Sequence, residues 1–348
     1  MSADKTSTTV ASIFLTGVLL TCFGPLCVVG CSDVLDSPAR TATCDDEWCL
    51  VPAAAWDSGV DGFAGTGSYL PPLSVKLTRS FWVAKTETTV SEWRALMNSS
   101  PSRYACGDTC PVFGMTFFDV LEYANRRSIQ DELPSCYSLS GCSEPSEGHG
   151  RICETAKFSG PDCLGYRLPS EFEWELAAGG GARTCIDGHP EADSFSDGNY
   201  PCSFPEGIDS LPAWYCGNSA TDYAGCISYV DFGPKCMGPR PVAQKPANVY
   251  GLYDMFGNAT EMTGSRYTWP ILLAGPGYPY RSVSDHGFDL DLMEPPPVGE
   301  DTPPVYVLRG GSFGDGVGAQ CSTFRNIAGG NLIYPSVGFR LVRTVGKN

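Results

Sequence analysis

The spacing of apolar residues divides this chain into segments of different kinds. Residues 10–29 (VASIFLTGVLLTCFGPLCVV) form a continuous apolar run after a short polar start. Residues 75–83 (VKLTRSFWV) alternate apolar and polar positions, the period of a strand with one buried face. Helical spacing follows: Thr89 and Glu92 form a capping-box pattern, and Trp93, Leu96 and Met97 then fall on one face, predicting a helix over 89–98. A second helix is predicted in the stretch 111–127, with Thr116 placed to cap it, Asp119 three residues on, and Val120, Leu121 and Ala124 as its buried stripe. A third follows Ser170 and Glu173, another capping-box pair, and stops at Gly179-Gly180-Gly181. Residues 307–313 and 337–343 read as short strands bounded by glycine.

Between these elements lie long stretches with turn residues and no period. Gly (40) and Pro (28) are abundant and charged residues make up only 18%, so the chain reads as loop-rich rather than as a helical bundle. No internal repeat and no dividing linker appears. The net charge of −16 and the lack of any basic run exclude a nucleic-acid binder, because phosphate neutralisation needs clustered Lys and Arg.

Cysteine sharpens the picture. Of 17 in all, three (Cys22, Cys27, Cys31) lie in or beside the apolar N-terminal run, and the other 14 run from Cys44 to Cys321. An even, dense set predicts disulfides and an oxidising compartment. Zinc is the rival reading, but there is no C-x-x-C and the three His (His149, His189, His286) are scattered. The N-terminal run ends in Val28-Val29-Gly30-Cys31, which resembles a bacterial lipobox. Residues 1–31 therefore read as a lipoprotein signal peptide with Cys31 as the lipidated residue, and residues 32–45 as a tether. The membrane is then met through the lipid, and Ser32 in place of an Asp points to the outer membrane. Twenty apolar residues are also long enough for an uncleaved spanning helix, with Gly24 and Pro25 against it.

Six motifs occur in a fixed order: Phe81–Thr89; Pro111-Val112; Tyr166–Ser170 with Glu173-Trp174-Glu175; Tyr250–Asn258; Leu308–Ser312; and Gly338–Leu341. As an ordered set they resemble the formylglycine-generating-enzyme, or sulfatase-modifying-factor, family. The match covers residues 46–343, leaving 344–348 as a tail. The resemblance implies an α+β domain with a C-type-lectin-like core, a small antiparallel sheet, few helices and many stapled loops. Family oxidases hold copper(I) on two nearby thiolates, a soft pair that suits that ion. Here the Gly-Gly-Ser strand is followed by Gly314, Asp315 and only a late Cys321. Ser312 and Cys321 are the residues that match the oxidation site, but the pair is incomplete, so copper is not expected. Family calcium binding implies Asn258 and Glu261 of Gly257-Asn258-Ala259-Thr260-Glu261 as ligands, oxygen donors suited to a hard cation. A second calcium site through Asn218 lacks its later Asp, whose place falls near Ala243. Arg325 and Arg340 match framework arginines.

Glu171 and Glu175 stand four apart on one helix face. Paired carboxylates can do acid–base work, but a solvated face or an ion pair with Arg167 is the preferred reading. The expected function is a lipid-anchored binding or scaffold protein for an unknown protein or small-molecule ligand seated near residues 310–330. The alternative is an oxygen-dependent oxidase acting on an exported protein or small molecule.

Overall fold

The computed structural model describes residues 42–59, 73–146, 149–180, 202, 212–228, 236–266, 283–284 and 305–346. The apolar run 10–29, Cys31 and the tether as far as residue 41 lie outside the described residues.

Three helices begin by the same local device. Helix α1 (Val90–Met97), α2 (Phe117–Gln130) and α3 (Glu171–Gly179) each carry a two-way capping box. Thr89, Thr116 and Ser170 accept from the N3 backbone, while Glu92, Asp119 and Glu173 reach back to the cap backbone. Two helices end on a left-handed residue, Asn98 for α1 and Gly180 for α3. The predicted stripe of α2 is buried at Val120, Leu121 and Ala124.

Two four-stranded sheets carry the domain. One joins Trp48–Val51, Phe81–Ala84, Val342–Thr344 and Tyr166–Arg167 in that order, all antiparallel. The other has the order Arg325–Gly329, Val305–Arg309, Thr260–Arg266, Val337–Gly338, with only the last pairing parallel. The architecture is α+β.

Two expected strands turn out to be broken. The run 75–83 divides into Leu73–Leu77, which pairs with Ala54–Ser58, and Phe81–Ala84 in a different sheet. The turn between them is engaged from both sides: Ser80 Oγ accepts from Ala53 N at 3.1 Å, and its carbonyl accepts from Val345 N at 3.3 Å. The run 337–343 likewise divides between the two sheets, and Arg340 at the break is wholly buried. The body also reaches beyond its expected edges. Leu50 N donates to Thr43 O at 2.8 Å, Cys44 is bonded to Cys49, and Thr344 belongs to a strand.

The core is aromatic. Trp93 of α1 stacks on Tyr123 of α2 at 5.3 Å, and both meet Phe339 edge-on. A second knot joins Tyr104, Phe113 and Phe313 in mutual edge contacts of 5.3–6.1 Å. Each such ring contributes about 1.5–3 kcal/mol through burial. Six disulfides join pairs of described residues and staple the loops: Cys44–Cys49, Cys106–Cys110, Cys136–Cys163, Cys142–Cys153, Cys202–Cys216 and Cys226–Cys236. Cys321 is also disulfide-bonded.

Candidate functional site

The loop after Val305–Arg309 turns on Gly310 (φ +93°) and Gly311 (φ +67°), a left-handed pair that other residues adopt only under strain. The turn delivers Ser312 into the interior at 1% exposure. Its Oγ donates to Asp315 Oδ2 at 2.6 Å, and its N–H donates to the same oxygen at 2.8 Å. The same Oγ accepts from Gly314 N at 3.2 Å. Ser312 therefore serves its own loop, and no histidine is bonded to it among the described residues. Phe313 fixes the loop further: its N–H donates to Asn258 O at 3.0 Å, and its carbonyl accepts from Ser219 Oγ at 2.7 Å. Cys321 follows at 3% exposure, already oxidised.

Strand register builds a row of charge beneath this loop. Glu261 stands opposite Arg309, and Arg309 opposite Arg325, across three neighbouring strands. Helix α3 supplies the complement from positions 171, 174 and 175. Arg325 Nε donates to Glu171 at 2.7 Å, Arg309 Nη2 to Glu175 at 2.5 Å, and Trp174 Nε1 to Glu261 at 2.7 Å. Arg309 also grips the loop itself, donating to the carbonyls of Ser322, Thr323 and Phe324 at 2.8–3.4 Å. The expected solvated face is thus corrected: Glu171 and Glu175 are 4% and 3% exposed and are neutralised by Arg325 and Arg309. Arg167 pairs instead with Glu173, at 2.6 Å. The reason is the sheet. It packs against the face carrying 171 and 175, and a buried carboxylate there must be paired. Neither is free for acid–base work.

The residues implied for calcium do not fit that ion. Arg340 lies against Glu261, Nε at 2.8 and 2.9 Å from its two oxygens and Nη2 at 2.6 Å from one. A guanidinium occupying both oxygens repels a divalent cation from the same place. Asn258 is engaged end to end: its Oδ1 accepts from Arg240 N at 2.8 Å and its Nδ2 donates to Arg240 O at 3.1 Å. Its backbone joins Trp214 and Phe313, so Asn258 is a junction of three loops. Copper fits no better, since every described cysteine is in a disulfide and no thiolate pair remains among the described residues. No cluster of three or more potential ligands occurs among the described residues.

Sequence reasoning missed one feature here. Glu87 is wholly buried and neither of its carboxylate oxygens has a hydrogen-bond partner. Burial pushes its pKa well above the usual carboxylate range, and the Asp254 charge pushes the same way. Burial likewise raises Asp254 to about 6. Arg340 faces three carboxylates, Glu87, Asp254 and Glu261, and the Lys245 charge also bears on Asp254. Nothing local in Lys85-Thr86-Glu87-Thr88 marks the acid as interior, because its neighbours lie more than 160 residues away in sequence.

An open cleft of about 830 Å³ is lined by residues of α1 and α2 and of the stretches 99–103, 113–115, 144–146, 149–151 and 333–335. The expected ligand surface at 310–330 contributes no described residue to it.

The profile of the sulfatase-modifying factor enzyme 1-like domain matches residues 37–345. The chain belongs to this family. Among relatives of this sulfatase-modifying-factor domain, chaperone protein LppX of Paenibacillus barcinonensis is 27% identical over 238 residues, 67% of this chain and 76% of that protein. Serine/threonine-protein kinase pkn1 of Chlamydia caviae is 30% identical over 151 residues, 43% of this chain but only 16% of the kinase. Two solved structures share the fold. Treponema denticola variable protein 1 superposes with a TM-score of 0.56 at 20% identity, covering 84% of this chain and 93% of its own. PvdO from Pseudomonas aeruginosa gives a TM-score of 0.51 at 18% identity, covering 86% and 94%.

Proposed function

We propose that this sulfatase-modifying-factor domain is an exported, lipid-anchored envelope protein that binds a partner or ligand and does not oxidise it. The observation that carries the reading is the state of Cys321: bonded in a disulfide and buried, in a loop where Ser312 is satisfied by Asp315. A nucleophilic or metal-binding cysteine must be a thiolate, and a buried disulfide is not one. Export is supported by the six described disulfides, which persist in oxidising compartments. The lipobox-like Val28–Cys31 supports the anchor at Cys31, and one relative described as a chaperone is consistent with binding work.

The test is a disulfide and free-thiol map of the mature protein by mass spectrometry, before and after incubation with copper(I). The expected result is no free thiol among the cysteines from Cys44 onward and no retained copper. A free Cys321 with stoichiometric copper, followed by oxygen consumption on a cysteine-containing peptide, establishes the oxidase instead. Labelling with an alkyne fatty acid tests the anchor: the label is expected on the native chain and lost in Cys31→Ser.

A further inference from the structure

Resting on that binding reading, we propose that the cleft beside α1 and α2 is the ligand site, and that its ligand is an amphipathic organic anion, a carboxylate on an apolar body. The cleft's volume, about 830 Å³, falls in the range of small-molecule sites. Its floor is apolar and fixed. Trp93, Phe113 and Met115 line it, each no more than 2% exposed, and Trp93 is held by its stack on Tyr123. Ile333, 38% exposed, extends the apolar wall toward solvent.

The charge on the wall is what selects the ligand. The chain carries a net −16, yet three arginines converge on this cleft: Arg103, Arg126 and Arg151. Two acids share it, and neither cancels them. Asp119 spends its oxygens on the cap of α2 and on Arg151 N, accepting from Thr116 N at 3.0 Å, Thr116 Oγ1 at 2.9 Å and Arg151 N at 3.1 Å. Glu144 stands 87% exposed at the rim, 3.6 Å from Arg151 Nη2, a contact that solvent weakens. Arg126 is engaged by Glu122 and the Leu96 carbonyl. Arg103 has no ion pair among the described residues. Arg151 is 9% exposed, and its Nε has no hydrogen-bond partner. That Nε is shut off from the cleft, so the terminal nitrogens are the ones a ligand can meet: Nη2 has the loose Glu144 contact, and a carboxylate there is held in the geometry a guanidinium prefers. Arg151 and Arg103 hold the anionic head, and the Trp93 floor takes the apolar body.

The experiment is titration of the complete mature protein with decanoate and with 2-naphthoate, followed by calorimetry and tryptophan fluorescence. 1-Decanol and decyltrimethylammonium are the neutral and cationic controls. At least one anion is expected to saturate at one site, binding 10-fold or more tighter than decanol, while decyltrimethylammonium does not bind. Arg103→Gln, an exposed change that leaves the fold intact, is expected to weaken the anion about 10-fold. Arg151→Gln is expected to weaken it further, and raising salt from 50 to 500 mM to weaken it several-fold. The proposal is overturned if neither anion binds, if decanol binds as well as decanoate, or if Arg103→Gln changes nothing. Any of those results, beside a thiol map with no free cysteine, removes the cleft as the site and leaves the non-oxidising reading standing.

Discussion

Replacing Asp254 by Asn tests the buried acidic cluster directly. Asp254 titrates near 6 in the folded chain against an ordinary value of 3.8. Between about pH 4 and pH 6 the unfolded chain has released this proton while the folded chain still holds it. The folded state then binds more protons, so unfolding free energy falls as pH rises through that window. Roughly two pK units at about 1.4 kcal/mol each amount to ~3 kcal/mol, fully lost above pH 6. Glu87 contributes with the same sign, since burial raises it too. Asn at 254 keeps an oxygen to accept from Ala243 N, which the native Oδ2 does at 2.6 Å, and suits the left-handed backbone there (φ 51°). Asp254→Asn should therefore match the native protein at pH 4 and exceed it by about 2–3 kcal/mol at pH 7.5. The assay is guanidinium unfolding under non-reducing conditions, followed by tryptophan fluorescence at four pH values. Repulsion from the net charge of −16 varies with pH in both proteins and cancels in the difference. A flat difference from pH 4 to 7.5, or a variant weaker at pH 7.5, refutes the reasoning. Either result means that Arg340 keeps Asp254 ionised throughout.

Three further outcomes follow from the framework. Glu175→Gln leaves Arg309 with carbonyls but no counter-charge and should cost about 3–5 kcal/mol in denaturant unfolding. Adding Arg309→Met should recover part of that loss, where additive losses would deny the pairing. Gly257→Ala places a Cβ against the Trp214 carbonyl at φ +77°, so a drop of at least ~1–2 kcal/mol is expected in thermal melts. Removing Cys136–Cys163, 27 residues apart, should cost about 3.5 kcal/mol, against about 2 kcal/mol for Cys106–Cys110, four apart, on loop-entropy grounds. Equal losses for the two double Cys→Ser variants would place the effect in local packing instead.

Helix starts were legible because a capping box is a contact over three residues, and Thr89, Thr116 and Ser170 each sit in one. The disulfide state was legible from the even count, and the family from motif order. Strand breaks were not. Arg79 alone interrupts the series Val75, Leu77, Phe81 and Val83, and one polar residue does not end a strand; Ala53 and Val345, distant in sequence, show that the chain changes sheets at Ser80. The roles of Glu171, Glu175 and Glu261 were hidden for the same reason. Their arginines lie 154, 134 and 79 residues away. An acidic residue on a helix face reads as exposed until the sheet beneath it is known. The family resemblance implied a cation at Glu261, and Arg340 in contact with both carboxylate oxygens is what displaces that expectation.

Arg309 has a consequence beyond stability. It holds the Cys321 loop by the carbonyls of Ser322, Thr323 and Phe324, and is itself held by Glu175. A clamp that grasps main chain is indifferent to the side chains displayed nearby. The stretch from Ser312 to Phe324 is thus tied at both ends, by Asp315 on Ser312 and by Arg309 on the carbonyls of Ser322, Thr323 and Phe324. A substitution between the two ties acts on a loop whose entry and exit are already fixed.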